Sequence, residues 1–218
     1  LPFTTSTLQQ EAFKALNFST SKTMRVAQQL YEGVDIKGAG TVGLITYLRT
    51  DSVRVSDEAK NMAHDFISEN YGDDFLREGP GKTSAASRIQ DAHEAIRPAD
   101  LTRLPSNVKD SLTREQFRLY QLIWRRFMAS RMSNAKYETT TAKIQAGEYI
   151  FSTAASHRIF DGFMLVYTDA EEEKEEKKSP VYSLEEGQVL EFDSFDEKQH
   201  FTQPPAHFTE ASLVHTME

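Results

Sequence analysis

Two consecutive stretches decide the fold: TREQFRLYQLIWRRFMASRM at 113–132 and TTTAKIQAGEYIFSTAA at 139–155. In the first, Phe117, Tyr120, Ile123, Trp124, Phe127 and Met128 recur three and four residues apart. That spacing is the wide apolar stripe of an amphipathic helix, and it reads as core rather than as a base-stacking surface. Thr113 stands at the N-cap, Gln116 completes a capping box, and Leu112 is placed to staple Phe117. In the second stretch the period drops to two, with a turn at Gly147, which predicts paired antiparallel strands. RIFDGFMLVY at 158–167 repeats the alternation, and Asp161-Gly162 reads as another hairpin turn. VLEFDSF at 189–195 is a further candidate strand. The switch predicts an α+β chain, helical first and antiparallel β over about 138–203. Pro204-Pro205 ends the β region, and Thr209 to Met217 reads as the start of a helix.

Working back from there, the first 140 residues are mostly helical. In TTSTLQQEAF at 4–13, Thr7 is a candidate N-cap with Gln10 at capping-box spacing, and the helix ends near Asn17. Ser21 caps a second segment carrying Met24, Ala27, Leu30 and Tyr31 at helical spacing. GVDIKGAGTVG at 33–43, with four glycines, is a loop, and GLITYL at 43–48 reads as a short strand. Ser56 precedes Asp57 and Glu58, acids that the helix dipole favours in a first turn. Ala59, Met62, Ala63, Phe66 and Ile67 form that helix's apolar face. Residues 71–90 form a Gly/Ser-rich connection, and no internal repeat is visible.

Composition narrows the classes. A length of 218 residues suggests one or two domains with a true core. The absence of cysteine excludes disulfides and thiolate chemistry. No apolar run approaches the roughly 18–20 residues a membrane span needs. There is no signal peptide, and a start at Leu1 reads as a piece of a longer chain. The net charge of −8 argues at first sight against a nucleic-acid binder. It is unevenly spread, however. Residues 1–140 hold 19 basic and 17 acidic side chains, net +2, whereas 141–218 hold 6 and 16, net −10. Much of the acidity sits in EEEKEEKK at 171–178, a run that repels itself and reads as a solvated loop. GPGKTS at 79–84 lacks the glycine spacing and preceding strand of a phosphate-binding loop. The six histidines show no zinc-ligand spacing, so no metal site is expected in this chain.

Two segments carry chemistry. In TYLRTDS at 46–52, an extended run points Tyr47 and Arg49 to the same side. A phenol with an ordinary pKa of about 10 is a poor nucleophile near neutrality. A fixed guanidinium favours the phenolate and can fork two hydrogen bonds onto a phosphodiester. In DAHEAIRP at 91–98, one helical turn would place His93 and Arg97 on one face, although Pro98 disfavours helix at Arg97. His93 can donate to a phosphate oxygen or relay a proton. Each segment alone also fits a structural role: a buried Tyr with a surface Arg, and His93 and Arg97 bonded to Asp91 or Glu94.

Together and in order, PFTTSTLQQEA, MRVAQQLYEG, GLITYLRTDS, QDAHEAIRP, LYQLIWRRFMASRM and HFTQPPAHFTEASLV resemble bacterial DNA topoisomerase I, the type IA family, over essentially the whole chain. The resemblance implies that Tyr47 is the nucleophile, forming a transient 5′-phosphotyrosine that lets negatively supercoiled DNA relax by strand passage and religation without ATP. It implies that Arg49 and His93 bind the scissile phosphate as catalytic, DNA-binding residues, with Asp91, Glu94 and Arg97 in supporting roles. Leu48 and His215 stand where the family often has Met and Lys.

The resemblance also implies a mainly helical lid with helix-turn-helix-like elements at 1–140, part of an antiparallel β hinge at 141–205, and at 206–218 the return into a single-strand-binding domain. The family's Toprim domain, which binds Mg2+, has no counterpart in this sequence. The implied partners are therefore single-stranded DNA in a negatively supercoiled duplex and a Toprim domain of the same full-length protein. The implied location is the bacterial cytoplasm, at the nucleoid, with no membrane contact, and this segment alone is expected to be inactive. A tyrosine recombinase or type IB topoisomerase also combines Tyr, Arg and His, but there the tyrosine comes last, and here Tyr47 precedes His93. A non-catalytic helical DNA-binding module or an acidic interaction domain is the other competing reading.

Overall fold

The computed structural model describes residues 1–77, 93–167, 180–194 and 196–217. Asp91, GPGKTS, most of the Gly/Ser-rich connection and EEEKEEKK lie outside the described residues. The described elements are α1 (Thr5–Leu16), α2 (Thr20–Glu32), β1 (Val34–Ile36), β2 (Gly40–Val42), α3 (Asp57–Tyr71), α4 (Pro105–Val108), α5 (Arg114–Arg131), β3 (Lys136–Ala146), β4 (Tyr149–Phe160) and α6 (Glu210–Met217). The mixture is α+β, as the change of period predicts.

The 18-residue α5 is the axis of the helical body. The Thr113–Gln116 capping box forms as expected, satisfying backbone donors at both ends of the box. Leu119, Tyr120, Ile123, Phe127 and Met128 on its stripe are almost wholly buried, and α1, α2, α3 and α4 pack around them. Each such burial is worth about 1.5–3 kcal/mol. Deep inside this stripe the Tyr120 hydroxyl donates to the Arg103 carbonyl at 2.7 Å. Burial holds that phenol in its neutral form by pushing its pKa far above the usual tyrosine range.

Two N-caps differ in detail from the sequence reading. Ser56 caps α3 as expected. The α1 helix begins earlier, because Thr4 is the N-cap and Thr7 answers it from the third helical position. It ends at Asn17, which takes the left-handed conformation. Ser19 rather than Ser21 caps α2. The α6 carboxylate of Glu210 adds to that start, accepting from the Thr20 amide at 2.7 Å and the Thr20 hydroxyl at 3.0 Å.

The β region is smaller than the alternation suggests. β3 and β4 form one antiparallel ribbon closing at Ala146↔Tyr149, with Gly147 at φ +63° in the turn. Asp161-Gly162 does not make a second hairpin. Gly162 (φ +50°) backs onto Asn134 so closely that a Cβ would lie 2.5 Å from its carbonyl carbon. The chain then forms a short 3-10 turn over Gly162–Leu165, and Phe163, Val166 and Tyr167 join the helical core. Burial of those apolar residues against α5 outcompetes further strand pairing. VLEFDSF likewise forms no strand over its described residues 189–194.

GLITYL is not a strand either. It contributes a single bridge, Ile45↔Pro98, and the backbone bends at Thr46, Leu48 and Arg49. Its hydrogen bonds run to a helix start and to a loop instead of to a second strand.

Candidate active site at Tyr47

Four segments meet around Tyr47. At the N-terminal end of α1, Thr5 donates from its amide to the Thr50 carbonyl at 2.8 Å and from its hydroxyl to the Leu48 carbonyl at 2.8 Å. The same hydroxyl accepts from the Thr50 amide at 2.9 Å. On the other side, the Thr46 hydroxyl donates to the Ala95 carbonyl at 2.8 Å and accepts from the Arg97 amide at 2.9 Å. The Thr46 amide donates to the Arg97 carbonyl and the Ala99 amide to the Leu44 carbonyl, both at 2.9 Å. At the far end of α2, the Leu44 amide donates to the Leu30 carbonyl at 2.8 Å. Leu44, Ile45 and Leu48 sink their side chains into the core, each 3% exposed or less. The irregular 44–50 segment is thus fixed by side-chain and backbone bonds that replace a strand ladder.

That clamp leaves Tyr47 half-buried and Arg49 exposed. His93 lies against the tyrosine, its ring stacked at 5.0 Å between centroids with 30° between planes. Tyr31, from the end of α2, meets Tyr47 edge-on at 5.5 Å and 71°. The structure therefore brings Tyr47 and His93 into contact across 46 residues of chain. Arg49 follows Tyr47 across a bend rather than along a strand, and its guanidinium forms no ion pair among the described residues. An exposed arginine with no ion pair among the described residues can present donors and positive charge to an anion.

Arg97 is different. No helix forms over 93–97, so the helical-turn geometry expected for His93 and Arg97 is absent. Loop hydrogen bonds to Thr46, Arg54 and Phe3 take the backbone groups a helix would use, in keeping with the disfavour of helix before Pro98. The Arg97 guanidinium instead pairs with Glu94 at 2.8 Å and donates to the Pro98 carbonyl at 2.9 Å, with both pair side chains under 20% exposed. Its charge is used inside the fold.

Tyr31 is the site residue that sequence reasoning missed. Its spacing places it on the helical face of α2, and nothing in that spacing signals a contact with Tyr47. The contact depends on Gly43, where a Cβ would come within 2.7 Å of the Tyr31 carbonyl oxygen. The close approach at a glycine ending a Gly-rich loop is the signal that could have located it.

Among the described residues no three His, Asp or Glu side chains gather where a metal ion could sit. The rings that meet Tyr47 are an imidazole and a second phenol, a donor set that does not fit Mg2+. No described helix is long and apolar enough to cross a membrane.

Comparison with known proteins shows the family. The family model described as DNA topoisomerase matches residues 1–218. The structure of full-length topoisomerase I from Thermotoga maritima superposes with a TM-score of 0.73 at 38% sequence identity, over 99% of this chain and 34% of that one. The chain thus spans about a third of the length of that structure. With a match along its whole length and a solved relative of this similarity, the chain belongs to the DNA topoisomerase family.

Proposed function

We propose that this chain carries the nucleophile of a type IA DNA topoisomerase, and that Tyr47 is that nucleophile. The observation that carries the reading is the half-buried Tyr47 ring stacked on His93, with Arg49, which forms no ion pair among the described residues, two residues on. The Tyr47 Oη attacks a DNA phosphorus, the P–O3′ bond breaks, and a 5′-phosphotyrosine forms. The proton lost by the phenol is balanced by one gained at the departing 3′-oxygen. Arg49 and His93 bind the scissile phosphate, where donors aimed at its developing charge lower the barrier. The bond energy stays in the phosphodiester, so reversal reseals the strand without ATP after another strand has passed.

In this reading residues 1–140 form a lid, 141–205 contribute to a β hinge, and 206–218 lead into a single-strand-binding domain. Mg2+ would be held by a Toprim domain of the full-length protein. The substrate is single-stranded DNA exposed by negative supercoiling in a bacterial cytoplasm. The two residue groups left outside the chemistry, Glu94 and Arg97, hold the loop that carries His93.

A plasmid assay tests this. The full-length enzyme carrying this segment should relax negatively supercoiled plasmid with magnesium. Tyr47→Phe should abolish relaxation while single-stranded DNA binding persists, and the 218-residue chain alone should leave the plasmid unchanged. Relaxation by the isolated chain, or by the Phe variant, would refute the proposal.

A further inference from the structure

Tyr31 is not a core residue. It is 39% exposed, and its hydroxyl forms no hydrogen bond among the described residues. Among those residues its ring meets one other ring, that of Tyr47, in the edge-to-face arrangement that aromatic quadrupoles favour. Its backbone touches the same segment. Gly43 passes against the Tyr31 carbonyl, and the Leu44 amide bonds to the Leu30 carbonyl next to it. The end of α2 therefore grips the 43–47 segment twice, by backbone at its start and by a ring at Tyr47.

The bent segment fixes the Cα of Tyr47, but the phenol oxygen lies far out on a side chain with two rotatable bonds. Threonine clamps on the backbone cannot aim that oxygen. Two ring neighbours can, and His93 is expected to be engaged with phosphate during the reaction. We propose that Tyr31 is a positioning residue that holds the Tyr47 ring in its attacking orientation. This rests on the proposed role of Tyr47. Displacing a reacting atom by a fraction of an ångström costs rate without weakening substrate binding. Because the Tyr31 hydroxyl bonds to none of the described residues, the ring alone should carry the effect.

Single-turnover cleavage of a single-stranded oligonucleotide by the full-length enzyme tests this, with affinity for that oligonucleotide and thermal melting measured alongside. Tyr31→Ala and Tyr31→Leu should slow cleavage roughly 3- to 10-fold, the scale of one aromatic pair, at unchanged affinity. Tyr31→Phe should restore the rate to within about twofold of the parent. Tyr31→Leu keeps the bulk at the end of α2 and decides the matter should the alanine variant melt early. Unchanged cleavage in the leucine variant overturns the proposal. So does a loss that phenylalanine fails to rescue, or a rate loss matched by lost affinity. Tyr47→Phe in the same assay separates the two ideas: an adduct formed without the Tyr47 hydroxyl defeats the functional reading itself. Abolition of the adduct there, with normal cleavage by Tyr31→Leu, defeats only the positioning role.

Discussion

Thr46→Val isolates what joins the Tyr47 segment to the His93 segment. Valine has nearly the shape of threonine, so the change removes a hydroxyl and little else. That hydroxyl donates to Ala95 at 2.8 Å and accepts from Arg97 at 2.9 Å in a part-buried setting. Its loss leaves the Arg97 amide and the Ala95 carbonyl short of a partner while the Thr46 amide bond to Arg97 remains. Leaving a buried donor or acceptor unmet costs about 1–3 kcal/mol. In a chain of this size each kcal/mol moves the melting temperature by about 2–4 °C. The expected fall is therefore roughly 2–12 °C, read by circular dichroism on the 218-residue chain. Because His93 lies two residues from Ala95, cleavage by the full-length enzyme should fall too. A melting temperature within about 1 °C of the parent, with cleavage intact, would refute the idea that Thr46 ties the two segments together.

Two other outcomes follow from the same geometry. Gly43→Ala places a methyl 2.7 Å from the Tyr31 carbonyl oxygen at a backbone angle alanine tolerates, so the strain is steric alone. It should cost about 1–3 kcal/mol in a denaturant melt, and an unchanged midpoint would show that α2 does not press on the segment. At the other end of α2, the Thr20 amide and hydroxyl hold the Glu210 carboxyl below its ordinary pKa of 4.5. Deprotonated Glu210 is the form that accepts both bonds. The contact is therefore complete above pH 4.5 and is lost as pH falls through the depressed value. The Thr20 amide resonance should titrate with a midpoint below 4.5 and lose that step in Glu210→Ala, whereas a midpoint at or above 4.5 would contradict the cap.

Elements with strong local signals were legible in the sequence. The α5 stripe and its Thr113–Gln116 box, the Ser56 cap and the Gly147 turn all rest on residues close together in the chain. The errors arose where distant partners decide. RIF at 158–160 does end β4, whereas FMLVY alternates well enough for a strand yet packs Phe163 and Val166 against the helical core. GLITYL is β-branched and apolar, yet its backbone partners are Thr5 and the 95–99 loop, so it bends. At the site, the motif order pointed to Tyr47, Arg49 and His93, and the structure stacks the rings of Tyr47 and His93 on each other. Tyr31 stayed hidden because its contact is made in three dimensions through Gly43 and has no periodic signature.

The central claim is that Tyr47 becomes joined to the 5′ side of a broken strand, and trapping that bond tests it most directly. An oligonucleotide labelled at its 3′ end is incubated with the full-length enzyme and quenched with denaturant. The label is expected to migrate with the protein, to map by mass spectrometry to the peptide containing Tyr47, and to be lost in Tyr47→Phe. Label retained by the protein only when placed at the 5′ end, or an adduct that persists in Tyr47→Phe, would contradict it.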